Sequence, residues 1–349
     1  MDSSVSLDSD VVELIADTIP VTLLFSDGVA RQVEAHPGES VVSAAQRAGL
    51  TILTDCCNGE CGTCRAELVS GVLELGAHSD LALSEEDRRD GAVLTCISKV
   101  TAPCAVEFPY DAAEAMLEED PPFAGRITRI EQVAAETLAL EILIDEPLDF
   151  EPGQYVRIRP VGAEVWRSYS MANQPGSDTL RFFVRVVDGG VFSTWLKNEA
   201  AVGSKVELSG PRGTFFLRRE ARPRIFVSGG TGLAPFLSML RSMVSDPSLS
   251  GIPTTLLVGV RSGAHFFARD EIEAVQKEMP LLKVVYAAEK EGPQPCHAGY
   301  ATDLIGEAVA AGADDRVYLC GPPLMVEAGR KAAQAVGIPN EHALAERFI

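Results

Sequence analysis

Cys56, Cys61 and Cys64 stand within the stretch Asp-Cys-Cys-Asn-Gly-Glu-Cys-Gly-Thr-Cys-Arg from Asp55 to Arg65, and Cys96 lies further on. A C-x4-C-x2-C run with one distant cysteine is the known spacing of four thiolates around a [2Fe–2S] cluster. A tight loop must wrap the two irons and present three thiolates from one side. Gly59 and Gly62 permit backbone conformations that other residues resist and bring amide N–H groups near the sulfurs. The fourth thiolate, from Cys96 on a short apolar strand, then pins the loop to the fold. A zinc site would pair C-x2-C with a second close pair, and Cys96 and Cys104 are not so spaced. A disulfide framework suits a short secreted chain, not 349 residues without a signal peptide. Cys57 breaks the spacing and is a bystander. Cys104, Cys296 and Cys320 fall outside the ligand set.

A second group of chemistry-bearing residues follows. Arg167-Ser168-Tyr169-Ser170 combines a permanent cation, an aromatic ring and two hydroxyls. Gly189-Gly190-Val191-Phe192-Ser193-Thr194 reads as a turn into a helix with Ser193 at its cap, offering free N–H groups to an anion. Gly229-Gly230-Thr231-Gly232 lies between a strand and a helix, and Cys320-Gly321-Pro322-Pro323 ends a later strand. Neither is a Walker loop or a G-x-G-x-x-G fingerprint. Both fall at C-terminal strand ends, where open α/β sheets bind ligands.

These groups need a scaffold of several domains, and the length suggests two or three. Hydrophobic residues make up 46% of the chain, enough for real cores. No run approaches the roughly 18 apolar residues of a membrane span, and the acidic N-terminus lacks the basic region of a secretory signal. The expected compartment is the cytoplasm, whose reducing conditions suit labile thiolates. Residues 1–120 carry 23 Asp/Glu against 6 Lys/Arg, a net of −17, while the remainder nets −3. An acidic first third disfavours nucleic acid and suits a basic protein partner.

In order, residues 1–18 read as an acidic tail. Alternating apolar runs around Ser26-Asp27-Gly28 predict a hairpin, and Val41 to Ala48 a helix ended by Gly49. Arg65 to Val69 is strand-like, and Ser84 opens a helical turn. Asp111 to Pro122 is an acidic linker ending in Pro-Pro. From Gly125 to about Leu217 short strands at Arg126–Ile130, Leu138–Ile144, Tyr155–Ile158, Leu180–Val187 and Lys205–Leu208 suggest an antiparallel barrel. After Pro223, strands at Arg224–Ser228, Thr254–Gly259, Lys283–Ala287 and Arg316–Cys320 alternate with helices, a doubly wound parallel α/β sheet. The division expected is tail 1–18, cluster domain 19–110, linker 111–122, barrel 123–220 and nucleotide domain 221–349.

Residues 19–110 resemble a plant-type ferredoxin, which implies a β-grasp fold. Arg-Ser-Tyr-Ser, preceded by Glu151-Pro152-Gly153-Gln154-Tyr155 and followed by Gly210-Pro211-Arg212-Gly213-Thr214-Phe215, resembles the ferredoxin–NADP reductase family. Gly-Gly-Thr-Gly-Leu-Ala-Pro and Cys-Gly-Pro-Pro resemble that family's nucleotide motifs. Nearly the whole chain is thus similar to the reductase components of multicomponent aromatic-ring oxygenases, of the benzoate 1,2-dioxygenase reductase type. The resemblance implies three cofactors: FAD, the [2Fe–2S] cluster and NADH. It implies that Arg167 neutralises the FAD pyrophosphate with the helix start at Gly190, Ser193 and Thr194. Tyr169 would lie against the isoalloxazine, Ser170 approach N5, and Val184 and Arg185 touch the flavin. Gly230, Thr231, Gly232, Gly321 and Pro322 would hold the dinucleotide, Cys320 would border the nicotinamide rather than fill core, and Phe348 would shield the flavin. Glu289 would repel a 2′-phosphate and favour NADH, although Arg261-Ser262 and Lys290 lie nearby. Electrons would leave through the cluster to a separate terminal oxygenase with a basic docking face, the chain itself being a monomer with no membrane or nucleic-acid partner. A redox sensor and a biosynthetic iron–sulfur reductase are the alternatives.

Overall fold

A computed structural model describes residues 18–54, 57, 59, 62–80, 82–115, 121–163, 165–213, 215–309, 314–339 and 342–348. The expected acidic tail lies almost wholly outside them. The chain divides into two compact units, Met1–Glu118 and Glu119–Ile349.

In the first unit β1 (Ile19–Phe25) and β2 (Ala30–Ala35) form the expected hairpin, with Gly28 left-handed at φ +79° in its turn. Helix α1 (Val41–Arg47) is capped by Ser40, whose Oγ accepts from Ser43 N–H at 3.1 Å. Strands β3 (Arg65–Ser70) and β4 (Leu73–Leu75) follow, then helix α2 (Glu85–Arg89), whose Ser84 and Asp87 form a reciprocal capping box. Strands β5 (Ala92–Leu94), β6 (Ser98–Val100) and β7 (Cys104–Phe108) complete a five-stranded sheet, order β2-β1-β7-β3-β5, and a separate β4–β6 pair. Alternate residues Val21, Leu23, Phe25, Val106 and Phe108 face inward and bury α1 through Val41, Ala44 and Ala45. The stretch expected as a linker begins as a turn of helix, α3 (Ala112–Ala115). It packs back on this core, with Thr51 N–H donating to Ala115 O at 2.7 Å.

The second unit begins with β8 (Phe123–Ala134), β9 (Thr137–Leu148), β10 (Tyr155–Pro160), β11 (Arg167–Ser170) and β12 (Ser177–Arg185). Helix α4 (Val191–Asn198) and β13 (Lys205–Arg212) follow. The antiparallel order is β11-β10-β13-β8-β9-β12, and Ala172 N–H donates to Arg181 O at 2.8 Å, so the sheet's two ends approach each other. Its interior is apolar, with Ile127, Leu140, Ile142, Ile158, Phe182, Val206 and Leu208 buried.

A parallel sheet comes next: β14 (Arg224–Gly229), helices α5 (Leu233–Ser245) and α6 (Pro247–Ser250), β15 (Thr254–Val260), α7 (Arg269–Glu278), β16 (Leu282–Ala288) and the short β17 (His297–Ala298). It ends with α8 (Ile305–Ala308), β18 (Arg316–Gly321), α9 (Pro323–Ala335) and β19 (Ala343–Arg347). The order is β17-β16-β15-β14-β18-β19, all parallel. The central strands are apolar on both faces because helices cover both. The C-terminal residues form edge strand β19 beside β18.

Candidate functional site

In the first unit Cys96 sits in the turn between β5 and β6, not on a strand as its apolar neighbours suggested. Side chains build that turn. The buried Thr95 hydroxyl donates to Cys64 O at 2.8 Å and Thr95 N–H to the same oxygen at 3.1 Å, while Ser98 Oγ donates to Leu94 O at 2.8 Å. The result brings Cys64 Sγ to 3.1 Å from Cys96 Sγ. That is far beyond a disulfide bond of about 2.05 Å. It is about 0.7 Å short of the roughly 3.8 Å edge of a tetrahedral centre with metal–sulfur bonds of about 2.3 Å, so the two thiols face each other and would spread to share one metal atom. Cys56 and Cys61 lie outside the described residues. Gly59 has φ +82°, and a Cβ there would stand 2.8 Å from Ala77 O, so only glycine lets the loop lie against that chain. Cys57 is exposed and left-handed at φ 55°.

In the second unit the two glycine-containing motifs meet. Adjacent strands β14 and β18 carry them, and a Cβ on Gly232 would stand 2.1 Å from Cys320 O. A Cβ on Gly321 would come within 3.0 Å of Gly229 backbone, whereas Gly230 faces open space at φ +56°. Glycine is thus required at the two close approaches, and the loop's outer side is left clear for a ligand. Thr231 lies in that loop, and Pro322 occupies the N-cap position of α9.

Ser170, the last residue of β11, is buried, and its Oγ donates to Glu346 Oε2 at 3.0 Å. Glu346 pairs in register with Cys320 across β18 and β19, and Cys320 Sγ lies 4.0 Å from the same carboxylate oxygen. Barrel, nucleotide sheet and C-terminus therefore converge on three polar side chains. Cys320 is wholly buried within the apolar cluster, so it does fill core, where the expectation was that it would border the nicotinamide instead. Burial first, and the Glu346 charge second, push its thiol well above its ordinary range. Phe348 packs half-buried against that cluster, and its N–H donates to Gly321 O at 2.9 Å. Sequence reasoning gave Glu346 no role. Its local run, Ala-Leu-Ala-Glu-Arg, carries no motif, and only strand pairing reveals its neighbours.

Tyr169 is half-buried, its ring 5.2 Å from that of Phe192, and burial raises its hydroxyl pKa. Arg167 is exposed, with Nη1 donating to Trp166 O at 2.9 Å. Three expectations change. Helix α4 starts at Val191 with Gly190 at its cap, so the amides that begin the helix belong to Val191, Phe192 and Ser193. Ser193 is a buried third-position residue whose Oγ lies 3.4 Å from both Val187 N and Gly190 O, and Thr194 N–H is taken by Gly190 O at 2.9 Å. Val184 is fully buried in the barrel interior, because inward and outward positions alternate along β12, so its side chain cannot face a ligand outside. Arg185 points outward, 3.8 Å from Glu136.

Exposed Glu289 follows β16, and its N–H donates to Val260 O at 3.1 Å. The nearby Arg261 donates from Nη2 to Glu136 Oε2 at 2.9 Å.

Three family models match in succession: a 2Fe-2S iron-sulfur cluster binding domain over residues 24–101, an oxidoreductase FAD-binding domain over 124–217 and an oxidoreductase NAD-binding domain over 226–331. The toluate 1,2-dioxygenase electron transfer component of Pseudomonas putida is 34% identical, the match covering 93% of this chain and 96% of that one. The 2-halobenzoate 1,2-dioxygenase electron transfer component of Burkholderia cepacia is 33% identical over 89% and 92%. Among solved structures, the Amycolatopsis cytochrome P450 reductase GcoB superposes with a TM-score of 0.72 at 30% identity, covering 94% of this chain and 98% of that one.

Proposed function

We propose, from the premise that this chain belongs to the family of electron-transfer reductase components of aromatic-ring oxygenases, that it oxidises NADH and passes the electrons singly to a separate oxygenase protein. The observation that carries this is the meeting of Ser170, Glu346 and Cys320, where the FAD-matching barrel abuts the NAD-matching sheet. When bound, FAD supplies the exchange between hydride and single electrons, and the [2Fe–2S] cluster carries one electron at a time. The protein's own residues bind, orient and exclude water.

Arg167 has an exposed guanidinium suited to a pyrophosphate, and the start of α4 adds amide donors and a positive dipole end. Arg185 contributes a second cation. Tyr169 offers a ring to stack on, and Ser170 with Glu346 sets the hydrogen-bonding face toward the reacting edge of the flavin. Gly230, Thr231, Gly232, Gly321 and Pro322 cradle the dinucleotide, so that Cys320 borders its nicotinamide and Phe348 keeps water away. In the first unit Cys56, Cys61, Cys64 and Cys96 hold the cluster. Glu289 disfavours a 2′-phosphate, which supports NADH.

The working division keeps a cluster domain at 19–110, an FAD barrel at 123–220 and an NAD domain at 221–349. The acidic first third supports a basic docking face on the oxygenase. A cytoplasmic monomer is the proposed state, and among the described residues no helix is long and apolar enough to cross a membrane. The test is anaerobic NADH titration of the purified chain, followed by turnover with candidate oxygenase components. Flavin bleaching, then cluster bleaching, then NADH-dependent substrate oxidation are expected. Flavin bleaching without any cluster response would overturn the electron path.

A further inference from the structure

Glu136 lies in the two-residue turn between β8 and β9 with φ 58°, a left-handed conformation that favours glycine or asparagine. The turn is fixed on both sides. Ala135 N–H donates to Ala264 O at 2.8 Å, and Val186 N–H donates to Glu136 O at 2.8 Å. The Glu136 carboxylate accepts from Arg261 Nη2 at 2.9 Å and stands 3.8 Å from Arg185. The Arg261 hydrogen bond, above all, holds this carboxyl below its usual range.

Arg261 immediately follows β15, and its carbonyl accepts from Lys290 N–H at 3.1 Å. The loops after β15 and β16 are thus joined at the C-terminal edge of the sheet, the edge that binds ligands in open α/β folds. Arg261 Nη2 also lies 3.0 Å from His265 Nε2, and His265 Nδ1 lies 2.8 Å from Ser262 Oγ. A guanidinium only donates, so Nε2 accepts and the ring proton on Nδ1 points to Ser262. The guanidinium that this loop would offer a phosphate is engaged within the protein by Glu136 and His265, and the Ser262 oxygen accepts from the imidazole.

We propose that Glu136 is a specificity-determining residue, holding Arg261 away from a dinucleotide 2′-phosphate and so favouring NADH over NADPH. The proposal rests on the reading of the chain as an NADH-dependent reductase. A barrel turn thereby sets the selectivity of the neighbouring sheet. Glu289, exposed beyond β16, adds a second negative charge at the same edge.

The test uses the full chain loaded with flavin and cluster. Glu136→Asn removes the charge while tolerating the left-handed backbone, and Glu136→Gly repeats the charge removal should asparagine perturb the melting temperature or flavin spectrum. Calorimetric affinity for 2′,5′-ADP relative to 5′-AMP should rise about tenfold, and the NADPH-to-NADH ratio of kcat/KM by a similar factor. Adding Arg261→Ala should return both ratios toward wild type. Ratios unmoved by loss of Glu136, or a gain that survives loss of Arg261, would overturn the proposal. Wild-type protein that fails to oxidise NADH would instead sink the electron-transfer reading.

Discussion

The proposed cluster region and the proposed nicotinamide region reach their geometry by opposite routes. Around Cys64 and Cys96 regular structure is sparse, and the sulfurs are set by a turn whose bonds come from the Thr95 and Ser98 hydroxyls. Around Ser170, Glu346 and Cys320 every member sits on a strand, and the Ser170–Glu346 bond joins residues 176 positions apart. Covalent ligation depends on residue type, so it leaves a spacing that can be read. Orientation of a ring depends on place, so ordinary residues suffice and leave no spacing.

The sharpest way to break the comparison is to remove one proposed cluster ligand. Cys96→Ser should abolish cluster iron and NADH-dependent cytochrome c reduction completely, while NADH still bleaches the flavin. Iron content and the two absorbance assays check this. Cytochrome c reduction persisting at the wild-type rate would show that electrons leave elsewhere. In the second region single losses are graded. Glu346→Gln should slow hydride transfer by about a hundredfold, the scale of one preorganised polar group, with flavin content intact. Stopped-flow flavin reduction measures it, and an unchanged rate would leave Glu346 as a strand-pairing residue only. Arg167→Ala should weaken flavin binding by about thirtyfold, the range of a lost charge-assisted hydrogen bond. Equilibrium dialysis of flavin decides it, and wild-type affinity would remove Arg167 from the site.

The same contrast governs what could be read in advance. The cysteine spacing, the two nucleotide motifs and the barrel-to-parallel-sheet order all follow from local signals. Strand β19 does not, since Ala, Leu, Glu and Arg are helix formers and only the open edge of β18 makes the segment extended. Glu346 was invisible for that reason. The α4 cap was misplaced because serine is the commoner cap, yet Gly190 begins the helix, where a Cβ would lie 2.5 Å from Ser193 Oγ. The inward side chain of Val184 was equally hidden, because its place beside Arg185 masks the two-residue alternation of β12.

A smaller effect separates the regions by charge. The first third nets −17, and on the proposed electron path the exit of electrons depends on docking there, whereas hydride transfer does not. The Debye length falls from about 10 Å at 0.1 M salt to about 3 Å at 1 M. Delivery to the oxygenase at limiting reductase should slow about tenfold over that range, while NADH-to-flavin reduction changes little. Equal salt dependence of both steps would leave the acidic surface without a steering role.

The smallest effect lies at Cys320. Its thiol is fully buried beside Glu346, and both influences raise its pKa from the ordinary 9.0. In the unfolded chain the thiol ionises near that ordinary value, while in the fold it stays neutral. The unfolded state thus binds fewer protons above about pH 9, and its contribution to stability, complete below that pH, is lost as pH rises toward the folded value. Each pH unit in that window costs up to about 1.4 kcal/mol from this group. Tyr169 and Tyr318, also raised by burial, add the same sign from their ordinary 10.0 upward. Cluster thiolates behave in the reverse sense, since metal binding releases their protons and acid reclaims them. Urea unfolding of the second unit, followed by flavin fluorescence in the whole protein, should therefore be flat from pH 7 to about 8.5 and steepen beyond about 9. Cys320→Ala should remove the earliest part of that slope and leave the tyrosine part, whatever it does to stability at pH 7. A slope identical in the variant would mean that the thiol is not held neutral between β18 and β19.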